Sequence, residues 1–93
     1  MARIEMYTSR WCPYCSAAHR LLDGKGVDYE IHVVDSDPAL RREMEARSGG
    51  YTVPQILVDG RALGGFDDIA ALDAAGELDP LLAGTEPSAS SPS

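Results

Sequence analysis

The stretch RWCPYCSAAHRLL, residues 10–22, contains both cysteines of this 93-residue chain and marks the start of a helix. Pro13 suits the first turn of a helix, where its missing N–H group would have no partner in any case. Apolar residues then recur from Cys15 to Leu22 at the spacing of one helix face. The pattern therefore predicts a helix with Cys12 at its N-terminus and Cys15 one turn further along.

The two cysteines have different surroundings in this predicted helix. The unpaired N–H groups and partial positive charge of a helix N-terminus stabilise the thiolate form of Cys12. Cys15 lies inside the first turn on the apolar face, so we expect it to be more buried and to keep its proton. The pair therefore suits redox chemistry, in which Cys12 attacks a disulfide and Cys15 resolves the resulting mixed disulfide.

A zinc site is the alternative interpretation of two closely spaced cysteines. Structural zinc takes four protein ligands, and the remaining candidates in this chain are His19 and His32. Neither histidine stands at a ligand spacing from the cysteines, and we expect both to face solvent. The sequence therefore favours redox chemistry and predicts no metal site.

The composition is that of a single soluble globular domain with a net charge of −7. A negative surface lacks the basic patch that binding to nucleic acid or to an acidic membrane requires. The start of the chain has no apolar stretch of signal-peptide length, and no segment approaches the length of a membrane span. We therefore expect a cytoplasmic monomer, in whose reducing surroundings a cysteine pair seldom forms a structural disulfide.

The remaining sequence alternates between predicted strands and helices. Apolar runs predict strands at residues 3–8, 27–34, 55–58 and 61–63, with Asp59–Gly60 as a hairpin turn between the last two. In the second strand, one face is predicted to carry Val27, Tyr29, Ile31 and Val33. Further helical segments are predicted from Pro38 to about Arg47 with Asp37 as N-cap, from Asp67 or Asp68 onward, and as a short turn at residues 78–82.

This order, β-α-β-α-β-β-α, predicts an α/β fold. Two strands joined through a helix run parallel in one sheet, whereas a tight hairpin joins antiparallel strands. We expect a four-stranded mixed sheet with helices on both faces, forming one domain over residues 1–83. Residues 84–93 are almost entirely polar and are predicted to be a disordered C-terminal tail.

Two further segments have features of a ligand-binding surface. In YTVPQILVDG, residues 51–60, a cis Val53–Pro54 bond would leave the backbone of Val53 free to pair with an extended peptide. In GGFDD, residues 64–68, the glycines permit close approach of a ligand, and the following helix N-terminus suits a carboxylate. An ordinary trans turn and a plain strand-to-helix turn are the alternative interpretations of these two segments.

Taken in order, these features resemble the bacterial dithiol branch of the glutaredoxin family. The matching pieces are YT, CPYC, RSG, TVPQI, GGFDD, LD and LDPLL, which together span residues 4–83. The resemblance implies a thioredoxin fold, glutathione as cosubstrate and no tightly bound cofactor. It also implies that Cys12 is the nucleophile, that Cys15 is the resolving thiol, and that disulfide-containing or glutathionylated proteins are substrates. For glutathione binding it implies Arg10, Tyr14, Thr52, Val53, Pro54, Gly65, Phe66, Asp67 and Asp68.

Two positions depart from the family pattern. Ser9, followed by Arg10, stands where the family commonly has a lysine, and Gly50–Tyr51 stands where it often has a basic residue. Because both family residues help to hold the glycyl carboxylate of glutathione, Arg10 is predicted to replace them, with Arg47 as the alternative. The run TSRWC is also similar to mycoredoxins, which use another low-molecular-weight thiol.

Two other functions remain open at this level. Some glutaredoxins carry an iron–sulfur cluster, although Pro13 and Tyr14 would stiffen and crowd the turn between the cysteines. A thioredoxin-like donor that a flavin reductase reduces directly is the other alternative.

Overall fold

The computed structural model describes residues 2–84, which form four strands and four helices. The strands are β1 (Ile4–Thr8), β2 (Glu30–Val33), β3 (Gln55–Val58) and β4 (Arg61–Gly64). The helices are α1 (Pro13–Gly24), α2 (Pro38–Ser48), α3 (Phe66–Ala74) and α4 (Leu78–Leu82). Apart from Gly84, the tail predicted to be disordered lies outside the described residues.

The strands form one mixed sheet in the order β2-β1-β3-β4. β1 and β2 are parallel, whereas the β1–β3 and β3–β4 pairs are antiparallel. Asp59 and Gly60 both have positive φ angles, of 52° and 81°, as expected for the predicted tight hairpin turn. The predicted four-stranded mixed sheet is confirmed.

Helices cover both faces of this sheet, as predicted. The larger apolar cluster joins β1 and β3 to α1, α3 and α4, and its buried members are Ile4, Met6, Ala18, Leu22, Ile56, Val58, Ile69, Leu78 and Leu82. The smaller cluster packs α2 against the opposite face through Tyr7, Val34, Met44 and Leu57. Within residues 2–84, none of the helices is long and apolar enough to cross a membrane.

The helix starts follow the predicted local signals, with one shift. Asp37 caps α2 by accepting a hydrogen bond from the Leu40 N–H at 3.0 Å. α3 begins at Phe66, earlier than the predicted Asp67 or Asp68, because Gly65 occupies the N-cap position. The Asp68 carboxylate accepts a hydrogen bond from the Gly65 N–H at 2.9 Å.

The second strand is shorter than predicted. β2 spans only Glu30–Val33, and the side chains of Ile31 and Val33 are exposed. β2 pairs only with β1, so it lies at an edge of the sheet where fewer neighbours cover its side chains. Val27 and Tyr29 do pack against the larger core, but they lie in the segment before the strand.

One charged side chain is buried in the middle of the central strand β1. Both carboxylate oxygens of Glu5 accept hydrogen bonds from Arg47 of α2, at 2.7 and 2.8 Å, and the side chain of Glu5 is 3% exposed. His32 contacts the same carboxylate at 3.2 Å. Mainly because of the Arg47 hydrogen bonds, the pKa of Glu5 falls to about 2. This ion pair fixes the C-terminal end of α2 to the sheet.

We expect the Arg47→Ala substitution to lower the free energy of unfolding by about 3 kcal/mol at neutral pH, because it leaves a buried carboxylate without its main partner. The difference from wild type should persist above the ordinary carboxyl pKa of 4.5 and disappear as the pH falls towards about 2, where Glu5 becomes protonated even in the native state. Urea denaturation at a series of pH values measures this difference.

Arg42→Ala, at an exposed position of the same helix, is the matched control and should change stability little at any of these pH values. An Arg47→Ala protein as stable as the Arg42→Ala protein at neutral pH would contradict the assigned role of the ion pair.

Candidate active site

The sulfur of Cys12 takes the place of a capping side chain at the N-terminus of α1. Cys12 is the N-cap residue, and its Sγ accepts a hydrogen bond from the Cys15 N–H at 3.1 Å. Pro13 follows as the first helical residue, as the sequence predicted. A hydrogen bond from a helix N-terminal N–H group stabilises a negatively charged sulfur more than a neutral one. The start of α1 therefore places the Cys12 sulfur against a backbone N–H group at the positive end of the helix.

Cys15 lies in the opposite kind of environment. It is 1% exposed, and both cysteines are unpaired thiols. Burial raises the pKa of Cys15, and its interaction with Cys12 raises the pKa further. Hydrogen bonding by the Thr8 side chain and the Ser9 backbone acts in the opposite direction, but the net shift of the Cys15 pKa is upward. The predicted asymmetry between an accessible sulfur and a buried, protonated one agrees with this arrangement.

The loop before β3 lies directly beside Cys12. The Val53–Pro54 peptide bond is cis, so the alternative of an ordinary trans turn is wrong. The Cys12 thiol is 3.7 Å from the Val53 carbonyl oxygen, measured from Sγ. The backbone of Val53 is therefore next to the sulfur that a bound disulfide would have to reach.

A groove of about 250 Å³ lies next to this loop and extends to the start of α3. Its lining residues are Tyr14, Thr52, Val53, Pro54, Gln55, Gly64, Gly65, Phe66, Asp67 and Asp68. Eight of the nine residues predicted to bind glutathione are among them. Gln55 and Gly64 also line the groove, but they were not predicted to do so. The sequence pattern placed Gln55 in a strand and Gly64 in a turn.

Glycine is required where β4 passes into α3. Gly64 has a φ angle of 113°, and a Cβ atom at this position would lie 2.2 Å from a carboxylate oxygen of Asp68. A Cβ atom at Gly65 would lie 3.3 Å from the Pro54 carbonyl oxygen. The two glycines therefore allow the cis-proline loop and the start of α3 to approach each other and form the groove walls.

Arg10 is the one predicted glutathione-binding residue outside the groove lining. The Asp35 carboxylate holds the loop before Cys12, since it accepts hydrogen bonds from the Arg10 N–H at 2.9 Å and from the Ser9 hydroxyl at 2.7 Å. These hydrogen bonds lower the pKa of Asp35, and the positive charges of Arg10 and Arg41 lower it further. The Arg10 and Arg41 guanidinium groups therefore both lie near Asp35.

Arg41 of α2 was missed by the sequence analysis. Its Nη1 atom donates a hydrogen bond to the Tyr51 carbonyl oxygen at 3.4 Å, two residues before Val53. The sequence offered no local signal for this contact, because it depends on how α2 packs beside the cis-proline loop. Arg47, the predicted alternative to Arg10, is instead bound to Glu5 and to the Tyr7 hydroxyl.

The prediction that both histidines face solvent is wrong. His19 contacts the Thr8 hydroxyl at 3.4 Å and the Tyr29 hydroxyl at 3.0 Å, and it is partly buried. The side chain of His32 is 24% exposed and contacts the buried Glu5. Each histidine is half-covered because its helix or strand packs against β1, a tertiary contact that sequence spacing does not reveal. By contrast Trp11, next to Cys12 in the sequence, is 92% exposed.

Comparison with known proteins identifies the family. The glutaredoxin family model matches residues 4–63. This chain belongs to the glutaredoxin family. It is 52% identical over 82 residues to glutaredoxin 3 of Escherichia coli strain K12, covering 88% of this chain and 99% of that relative. It is 46% identical over 82 residues to a glutaredoxin of Pseudomonas aeruginosa, covering 88% of this chain and 98% of that relative.

Solved structures agree with this assignment. The solution structure of a glutaredoxin from Brucella melitensis is 43% identical, with a TM-score of 0.78 over 88% of this chain and 89% of the other. A crystal structure of a buckwheat glutaredoxin–glutathione complex is 26% identical, with a TM-score of 0.80 over 88% of this chain and 77% of the other. The chain is therefore a thiol–disulfide oxidoreductase with a thioredoxin fold.

Proposed function

We propose that this glutaredoxin uses glutathione to reduce protein disulfides and glutathione mixed disulfides through Cys12 and Cys15. The observation that carries the proposal is the groove, which runs from the cis-proline loop beside Cys12 to the N-terminus of α3. Its two ends offer the groups that a short peptide with a central cysteine would require.

The groove matches the chemistry of glutathione along its length. The backbone of Val53 is available to pair with the cysteinyl residue of an extended peptide, which brings the glutathione sulfur to Cys12. At the other end, the N-terminus of α3 suits the α-carboxylate of the γ-glutamyl residue. The Asp67 and Asp68 carboxylates suit its ammonium group. Tyr14, Thr52, Pro54, Gly65 and Phe66 supply the walls between these ends.

The reaction follows from the difference between the two sulfurs. The Cys12 thiolate attacks one sulfur of a substrate disulfide, forms a mixed disulfide and releases the other sulfur as a thiolate. Cys15 then attacks Cys12 to form the internal disulfide and release the bound thiol, or free glutathione attacks in its place. Two molecules of glutathione return the enzyme to the dithiol form and leave as glutathione disulfide.

The glycyl carboxylate of glutathione needs a cation at the α2 side of Cys12. Arg10 and Arg41 both lie there, whereas Arg47 forms an ion pair with the buried Glu5. We therefore assign the glycyl carboxylate to Arg41 together with Arg10. A charge-assisted contact of this kind contributes roughly 1.5–3 kcal/mol when sheltered and less when exposed.

The remaining elements of the proposal concern how the protein works in the cell. Both cysteines are free thiols, which suits a cytoplasmic protein in a reducing environment. We propose that it acts as a monomer with residues 1–83 as the functional domain, that residues 84–93 are dispensable, and that it holds no tightly bound cofactor.

We expect Cys12→Ser to abolish turnover with every substrate, because Cys15 is buried and cannot replace the nucleophile. Cys15→Ser should still remove glutathione from small mixed disulfides, since a second glutathione can resolve the Cys12 adduct, but it should lose most activity towards protein disulfides. Turnover coupled to glutathione and glutathione reductase measures both effects.

The same assay, repeated with thioredoxin reductase or with another low-molecular-weight thiol in place of glutathione, tests the reductant. Turnover that is as fast without glutathione as with it would overturn the proposed cosubstrate. Substantial turnover by Cys12→Ser would overturn the assignment of the nucleophile.

We expect Arg41→Ala and Arg10→Ala each to raise the half-saturating glutathione concentration several-fold with little change in maximal turnover, because each removes ground-state and transition-state binding alike. Arg42→Ala, which alters the neighbouring exposed residue of α2, should leave it unchanged. The wild-type half-saturating concentration should rise with added salt, as screening of charged contacts requires. Unchanged glutathione dependence in both variants would exclude these arginines as the carboxylate site.

A further inference from the structure

One buried side chain reaches from the sheet into the cis-proline loop, residues 50–54. Gln55 is the first residue of β3 and is 7% exposed. Its Nε2 atom donates a hydrogen bond back along the chain to the Thr52 carbonyl oxygen at 2.9 Å. The next carbonyl oxygen, that of Val53, is 3.7 Å from the Cys12 sulfur. The Gln55 carboxamide therefore holds the loop backbone one residue before the group that faces the nucleophile.

The backbone of Gln55 is itself firmly held. Gln55 lies opposite Tyr7 of β1 in the antiparallel register, and Tyr7 is completely buried. Water competes little for a hydrogen bond in such a sheltered position, so the contact with the Thr52 carbonyl is stronger than an exposed one. The carboxamide thus attaches the loop to the centre of the sheet.

Room for this carboxamide exists because residue 50 is glycine. A Cβ atom at Gly50 would lie 2.6 Å from Nε2 of Gln55. Non-bonded heavy atoms pack at about 3.5–4.0 Å, so a side chain at this position would push the carboxamide away from Thr52. The φ angle of Gly50 lies outside the left-handed region, so its backbone conformation does not require glycine. The structure therefore gives contact with Gln55 as the reason for glycine at this position.

The first half of the loop is held from α2. The Gly50 N–H donates a hydrogen bond to the Ser48 hydroxyl at 3.1 Å, and that hydroxyl donates to the Met44 carbonyl oxygen at 2.7 Å. Arg41 of the same helix donates to the Tyr51 carbonyl oxygen. Because the Gly50 backbone is attached in this way, it does not move aside freely to make room for a side chain. The loop is thus held by α2 at its start and by the sheet at its end.

We propose that Gln55 is a positioning residue for disulfide exchange. Its carboxamide holds the Thr52–Val53 backbone where an extended peptide disulfide can pair with it and present its sulfur to Cys12. The inference rests on the proposed pairing of glutathione with Val53. Gln55 acts through the loop rather than on the reacting sulfurs. A misplacement of about 1 Å can cost roughly 10²-fold in rate, so the loss of this one hydrogen bond is enough to slow turnover.

The substitution Gln55→Met tests the hydrogen bond, because methionine has a similar length but cannot donate to the Thr52 carbonyl. We expect kcat/KM for a glutathionylated peptide to fall about tenfold in the assay coupled to glutathione reductase. Alkylation of Cys12 by iodoacetamide should stay within about twofold of wild type, because this small reagent makes no peptide contact with the loop. A loss of stability alone, in a protein that is still folded during the assay, would change neither rate.

The substitution Gly50→Ala tests the same contact from the other side. Its methyl group should displace the Gln55 carboxamide, so kcat/KM for the glutathionylated peptide should again fall several-fold. In a Gln55→Ala protein there is no carboxamide to displace, so the addition of Gly50→Ala should change kcat/KM less than twofold. Gly24→Ala is the matched control and should leave kcat/KM unchanged, since a Cβ atom at Gly24 meets nothing within 4 Å.

The mobility of the ligand-free loop separates positioning from a direct contact between Gln55 and the peptide. Gln55 lines the groove, so the loss of a direct contact would also lower kcat/KM. Amide nitrogen relaxation of the reduced protein without glutathione should give lower order parameters at residues 51–53 in Gln55→Met and Gly50→Ala than in wild type. The loss of a direct contact alone would leave these order parameters unchanged.

The inference would be overturned by wild-type kcat/KM in both Gln55→Met and Gly50→Ala, or by unchanged loop order parameters in both. An equal effect of Gly50→Ala with and without the Gln55 carboxamide would also overturn it. Failure of the proposed function looks different, because the wild-type protein would then reduce the glutathionylated peptide no faster than the same peptide in a mixed disulfide with mercaptoethanol.

Discussion

The hydrogen bond from the Cys15 N–H to the Cys12 sulfur is the interaction on which the active site depends. It makes Cys12 the cap of α1, so the sulfur lies at the positive end of the helix and at the surface. The same helical turn carries the Cys15 side chain into the core, where burial raises the pKa of its thiol. Two chemically identical side chains, three residues apart, thus acquire different reactivities from one local geometry.

The central strand β1 holds the loop before Cys12 and the start of α1 in place. β1 is paired on both sides and buried along its whole length, and it ends at Thr8, immediately before the loop that leads to Cys12. Its Glu5 side chain binds Arg47 and so holds α2 against the sheet. The same helix carries Arg41 to the cis-proline loop, where it donates a hydrogen bond to the Tyr51 carbonyl oxygen. The ion pair therefore holds in place a helix that contacts the loop beside Cys12.

Local signals in the sequence were sufficient for most of the fold. Pro13 and Asp37 locate two helix starts, and Asp59–Gly60 locates the hairpin, since each acts through its own backbone conformation or nearest neighbours. None of these three signals depends on distant contacts. The CPYC, TVP and GGFDD segments predicted eight of the residues that line the groove through the family resemblance.

The parts that the sequence did not predict depend on tertiary packing. The shortness and exposure of β2 result from its position at the sheet edge, which strand periodicity does not encode. Three contacts join residues far apart in the chain. His19 contacts Thr8, Arg47 binds Glu5, and Arg41 binds the Tyr51 carbonyl oxygen. The sequence showed that a cation was missing from the family pattern and offered Arg10 in its place, whereas Arg41 became a candidate only through the packing of α2 beside Tyr51.

The most direct test of the account is the reactivity of the two thiols in the reduced native protein. Limited alkylation with iodoacetamide near pH 7, followed by peptide mapping, reports which sulfur reacts first. The account predicts that Cys12 is modified while Cys15 remains free, and that both react once the protein is unfolded in urea. Modification of Cys15 as fast as Cys12 in the native protein would contradict the claim that the start of α1 makes one sulfur the nucleophile.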